Sequence, residues 1–197
     1  MDYPAAKAFI LRQLRNDLSD LLYYHGVHHT IDVHQRTVEL CQAEKVPEYE
    51  TMLLKTAALY HDCGFLKASL NHEQLGCAIA QKALPEFHYK TKEIDIICGM
   101  IMATKVPQTP QTHFEAILCD ADLDYLGRTD FKSIGDTLFL ELKAHHILQT
   151  EEEWNLMQVG FLESHSYFTA TNQKDRQPLK DKHLEALKEI VVGYEKK

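Results

Sequence analysis

Met52-Leu53-Leu54-Lys55-Thr56-Ala57-Ala58-Leu59-Tyr60-His61-Asp62-Cys63-Gly64 is the stretch on which the reading of this chain turns. From Met52 to Tyr60 the residues read as a buried helix, and His61 and Asp62 stand side by side at its end. Adjacent helical residues point about 100° apart, so the two cannot share one apolar face. They can converge on one point where the helix unwinds, and Gly64 is expected to permit that unwinding. A metal ion is the simplest object that requires both side chains.

Outward from that stretch the pattern stays helical. Apolar positions at Phe9, Leu11, Leu14, Leu18 and Leu21/Leu22 predict a helix over 4–22, broken by Gly26. Further helices are predicted over 30–42, 48–61, 71–84, 91–103, 113–126, 131–147, 151–165 and 178–194. Pro47 ends the second, and Asn71 is a candidate N-cap for the fourth. Loops are expected at 63–70, 106–112 and 169–177. With no alternating strand pattern and no repeat, the fold class is all-α, read as one domain over 1–197.

Composition narrows the function classes. The chain is 45% hydrophobic and 25% charged, with a formal net charge of −8 and no sustained basic run. Long nucleic acids and anionic membranes are therefore not expected partners, although a metal can still hold a small phosphate. Five cysteines without a CxxC pair read as buried thiols. Met1-Asp2-Tyr3-Pro4 opens no signal-peptide pattern, and the apolar run 96–103 is too short to cross a bilayer, so a cytoplasmic location is expected.

Two other stretches carry chemistry. In Leu118-Cys119-Asp120-Ala121-Asp122-Leu123-Asp124-Tyr125-Leu126, Asp122 lies four residues from each of Leu118 and Leu126, so it falls on their apolar face. A carboxylate there needs a cation, either a metal or a basic side chain. Asp120 and Asp124 lie on another face and read as solvated or supporting groups. Tyr24-His25-Gly26-Val27-His28-His29-Thr30 places three histidines at a helix start, and His29 shares a face with Val33. His88, His113, His145, His146, His165 and His183 lie on exposed or loop-like stretches and read as surface groups. Trp154, Phe161 and Tyr167 read as core of the C-terminal part.

Taken in order, His29, His61-Asp62 and Asp122 resemble the H…HD…D signature of the HD-domain superfamily of metal-dependent phosphohydrolases. Tyr24-His25 with His29-Thr30, the His61-Asp62-Cys63-Gly64-Phe65 turn, Asn71-His72-Glu73 and Asp120-Ala121-Asp122-Leu123 match supporting features. The resemblance covers roughly 18–127 and implies an HD core there, with a helical cover over 128–197. It makes His29, His61, Asp62 and Asp122 the ligands of one divalent metal, and His25 the group that protonates a leaving oxygen. His72 matches a position that some HD proteins use for a second metal or for substrate phosphate. Two features depart from the pattern: Ala103 stands where two-metal branches bring a histidine, and Phe65 where some branches have lysine.

The expected activity is hydrolysis of a phosphoester in a small molecule, such as a nucleotide or related phosphomonoester or diester. Two imidazoles and two carboxylates suit Mn, Fe, Co, Ni or Zn better than Ca. Asp122 or the unligated oxygen of Asp62 would accept the proton of the attacking water, and His25 or His72 would protonate the leaving alcohol. Two other readings stay open: a regulatory domain that binds metal and ligand with little turnover, and a di-iron oxygenase of HD-like fold.

Overall fold

Helix α3, Glu48–Tyr60, forms the middle of the N-terminal unit because it is apolar on almost every side. Leu53, Leu54, Thr56, Ala57, Ala58, Leu59 and Tyr60 are all buried, and a helix buried all round must be enclosed by others. The computed structural model describes residues 1–194. Around α3 pack α1 (Tyr3–Asp17), α2 (Val27–Ala43), α5 (Thr91–Ala103) and α6 (His113–Asp122). Helix α4 (His72–Ala83) lies on α5 and on a 3-10 turn, Cys63–Leu66. No strand occurs among the described residues, and the architecture is all-α.

The chain forms two compact units, Met1–Asp122 and Leu123–Lys197. In the second unit, a 3-10 turn (Asp124–Gly127) and α8 (Glu151–Ser164) pack on α10 (Gln177–Tyr194), with the short α9 (Ala170–Asp175) beside them. Helix α7 (Phe131–Ala144) packs against the 3-10 turn. Trp154 and Tyr167 are buried in this unit as expected, whereas Phe161 is half-buried. His165 is also buried, contrary to its reading as a surface group. It is enclosed with Lys180, whose ammonium donates to the His165 carbonyl. His183 is half-buried, stacks on Phe131 and donates from Nε2 to the carbonyl of Arg128.

Several helix ends differ from their periodic expectation. Helix α1 stops at Asp17 because Leu18 turns extended and the Ser19 hydroxyl captures the Leu21 N–H, a local bond that competes with helix. Asn71 sits at the N-cap of α4 in a left-handed conformation, and its side chain makes no capping bond. The expected loop 169–177 contains α9, which Thr169 caps by accepting from the Asn172 N–H. The largest correction concerns α6, which ends at Asp122, so Leu126 belongs to the following 3-10 turn.

Gly64 has a different role from the one anticipated. No glycine among the described residues has positive φ, so Gly64 does not terminate α3 in a left-handed cap. The reason for glycine is space: a Cβ at Gly64 would stand 1.9 Å from the carbonyl oxygen of His72. The turn that follows His61-Asp62 and the first residue of α4 therefore touch backbone to backbone.

All five cysteines are free and buried. No helix of the described chain is long and apolar enough to cross a membrane.

Candidate functional site

His29 stands in the first turn of α2, His61 at the end of α3, and Asp122 at the end of α6. Each helix is anchored in the same core, which brings three side chains distant in sequence to one point. The Nε2 atoms of His29 and His61 are 3.4 Å apart. Asp122 Oδ1 lies 3.2 Å from His29 Nε2 and 3.5 Å from His61 Nε2. Asp62 Oδ2 stands 3.4 Å from His29 Nε2 and 3.1 Å from His61 Nε2. Helix α3 ends at Tyr60, with His61 as its C-cap and Asp62 as the N-cap of the following 3-10 turn, and both neighbours face this point.

His61 Nδ1 donates to the carbonyl of Ala58 at 2.9 Å, which leaves Nε2 turned to the cluster. That second bond is how a ligating imidazole is usually oriented. Burial opposes charge on His61, yet the carboxylates of Asp62 and Asp122 outweigh it and raise its pKa well above the ordinary value. Burial likewise works against ionising Asp122, but hydrogen bonds from His29 and His61 pull its carboxyl down to about 2. Asp62 is held low against burial by His61, His25 and His29. Two carboxylates and two imidazoles thus share one buried point, where a protonated His61 or a bound cation balances the negative charge.

The donor set fits a divalent metal. His29, His61 and Asp122 each offer a ligand atom within 4.8 Å of the others. Ligands about 2.1 Å from a common ion stand about 3 Å apart along an octahedral edge. The observed separations of 3.1–3.5 Å are close to that. Asp62 lies outside the mutually close trio, but its Oδ2 is buried without a hydrogen-bond partner, an orphan that an ion would satisfy.

No family model and no curated protein matches the sequence. Among solved structures, the chain is similar to a predicted HD superfamily hydrolase from an uncultured Thermotogales bacterium, crystallised at 1.45 Å resolution. The two share 20% identity with a TM-score of 0.63, over 95% of this chain and 92% of that one. The chain shares the fold of that structure. At this identity the likeness establishes the fold, and the chemistry is argued from the side chains.

Within this fold, the other expected site residues gather beside the cluster. Phe65 stacks on His25 (ring centroids 4.4 Å) and on His72 (4.3 Å), and the two imidazoles lie 6.2 Å apart. His72 Nδ1 donates to the carbonyl of Ser69, and its Nε2 lies 3.5 Å from Asp62 Oδ1 and 3.6 Å from Glu73 Oε1. Asp62 thus presents Oδ2 to His29 and His61, and Oδ1 to His72. His28 is exposed, one position away from the ligand.

The carboxylates of the Asp120–Asp124 segment behave differently from the simple helical pattern. Asp120 is fully buried and Asp124 is 2% exposed, whereas the Asp122 side chain keeps 14% exposure. The reading of Asp120 and Asp124 as solvated is therefore wrong. Helix α6 is covered on nearly all sides from Ile117 to Ala121, so it has no solvent face for Asp120 to occupy. Asp124 accepts from Arg176 Nε at 2.8 Å and pairs with Arg128 at 3.6 Å, a basic anchor. Of the three carboxylates, Asp122 is the one whose Oδ1 faces His29 and His61.

Two neighbours of the site escaped the sequence reading. Glu73 is buried beside His72, although only the histidine of Asn71-His72-Glu73 drew attention. Gln108 donates from Nε2 to Asp122 Oδ2 at 3.3 Å, from a loop with no periodic signal to mark it.

Proposed function

We propose that this chain is a metal-dependent phosphohydrolase acting on a small phosphorylated compound, a nucleotide or a related phosphomonoester or diester. The observation that carries the reading is the convergence of His29, His61 and Asp122, with Asp62 Oδ2 within 3.4 Å of both imidazole Nε2 atoms. These four groups would hold one divalent transition ion, Mn, Fe, Co, Ni or Zn. Such an ion supplies charge neutralisation at the phosphoryl oxygens and a water acidic enough to attack near neutral pH.

The chain's own groups would move the protons. Asp62 Oδ1, the oxygen near His72, would take the proton of the attacking water, since the corresponding oxygen of Asp122 is engaged by Gln108. His25 and His72, both packed on Phe65, are the candidates to protonate the leaving oxygen. The net charge of −8 without a basic run supports a small substrate over a long nucleic acid. Five free, buried thiols support a reducing, cytoplasmic setting.

A second reading has one observation in its favour. His72 Nε2, Asp62 Oδ1 and Glu73 Oε1 gather beside the first cluster, which would suit a second ion and, with two irons, oxygen chemistry. Ala103 occupies the end of α5, where a further histidine would be needed. Metal content by mass spectrometry, wild type beside His61→Ala, separates the cases. About one metal per chain, absent in the variant, with chelator-sensitive phosphate release, supports the hydrolase. Two irons per chain with no phosphate release defeats it. Stoichiometric metal without turnover on any phosphoester would leave a binding module.

A further inference from the structure

The geometry points to Gln108 as the positioning residue for Asp122, the most exposed member of the cluster; this rests on the metal-centre reading above. Asp122 is the last residue of α6, and a 3-10 turn begins two residues later at Asp124. Its Oδ1 faces His29 and His61. Its Oδ2 receives the Gln108 amide at 3.3 Å, while the same nitrogen donates to the Cys119 carbonyl at 3.4 Å. One side-chain NH2 thus bridges the last turn of α6 and the carboxylate that leaves it.

The orientation of the amide follows from its partners. Cys119 O and Asp122 Oδ2 are both acceptors, so only the NH2 end of Gln108 can face them. The Oε1 atom is buried with no hydrogen-bond partner, so the side chain forgoes a bond to keep this arrangement. Engaging Oδ2 fixes the rotation of the carboxylate and leaves Oδ1 as the ligand oxygen. Gln108 comes from the 104–112 loop rather than from any helix of the core, and so ties loop conformation to metal geometry. Carboxylate ligands are commonly held by such outer partners, and their removal lowers metal affinity about 10–100-fold.

Gln108→Met keeps the side-chain length and removes the donor; Gln108→Glu replaces the donor by a second carboxylate. Calorimetric titration of metal-free protein with Mn2+, or with Zn2+ where Mn2+ gives no heat, measures the dissociation constant directly. Thermal unfolding of each metal-free variant is recorded alongside, with His61→Ala as the reference for a lost ligand. The expected result is a dissociation constant raised about tenfold in Gln108→Met and further in Gln108→Glu, at an apo melting temperature close to wild type. Unchanged affinity in both variants, while His61→Ala loses binding, overturns the role of Gln108 and leaves the metal centre standing. Affinity lost only in step with a falling apo melting temperature makes Gln108 a structural strut and overturns it too. A wild type that binds neither ion defeats the metal-centre reading, and this inference with it.

Discussion

Gly64→Ala tests the link between the His61-Asp62 turn and α4. An added Cβ would lie 1.9 Å from His72 O, 2.6 Å from its carbonyl carbon and 2.8 Å from its Cα. All three are backbone atoms, so no side-chain rotation relieves the clash. Reaching ordinary contact at 3.4 Å requires the two segments to part by about 1.5 Å. Forcing apart a packed junction costs about 1–3 kcal/mol, and a backbone clash this short belongs at the upper end. For a chain of this size, about 3 kcal/mol lowers the melting temperature by about 6–12 °C. The assay is thermal unfolding of metal-free protein, with Gly160→Ala as the control. Gly160 lies exposed in α8 with nothing within 4 Å of its would-be Cβ, so alanine there should be neutral or raise stability by up to about 1 kcal/mol. A Gly64→Ala protein melting within about 2 °C of wild type would refute the close-approach argument.

Two further outcomes are expected. His34 is partly buried near Lys7 and Lys55 and shares a 2.5 Å hydrogen bond with the Tyr3 hydroxyl; burial first, then the two lysines, pushes its pKa down to about 4. Its folded pKa lies below the ordinary 6.5, so the unfolded chain binds the proton first, and stability is lost as pH falls from about 6.5 towards 4. The full shift corresponds to about 3.4 kcal/mol, and the ring's partial exposure reduces this to about 1–2 kcal/mol. Urea unfolding at pH 7 and pH 4.5 should show that much extra loss in wild type relative to His34→Phe; equal losses would contradict it. For the leaving-group proton, His25→Ala and His72→Ala are compared on an ester with a poor leaving alcohol and on an activated one. The true donor's variant loses about 10²–10⁴-fold in kcat on the poor leaving group and far less on the activated one. Equal losses on both substrates would assign that histidine to binding instead.

Much of the architecture is legible in the sequence because apolar spacing and helix punctuation act locally. The bounds of α5, and those of α3 to within a residue, follow from apolar spacing and from Pro47. Where a bound was missed, a side chain or a tertiary contact overrode the period: the Ser19 hydroxyl at the end of α1, and the turn after Asp122. The residues that converge are legible in type and order, but burial does not single out Asp122, which keeps 14% side-chain exposure while Asp120 is fully buried. Periodicity assigns faces to a helix with one buried side; α6 is buried on most sides, so Asp120 and Asp122 are distinguished by where the helix stops. Gln108 and Glu73 could not be found this way. Their roles arise from which loop or helix start meets the cluster, and that is a property of packing rather than of spacing.

The backbone contact between Gly64 and His72 also bears on how such a protein can change over generations. The chain leaves the site at Gly64 and returns to the same spot at His72, so the segment 65–71 is a closed excursion pinned at both ends. Lengthening an excursion of this kind adds little entropic cost, about 0.6 kcal/mol for each doubling of its length. Leu70 is already 78% exposed, and the outer part of the excursion contributes little to the core. New residues there could reshape the rim of the site while His61, Asp62 and His72 keep their spacing. Substrate range and metal chemistry would then be free to vary on separate evolutionary schedules, with one missing methyl group as the hinge pin between them.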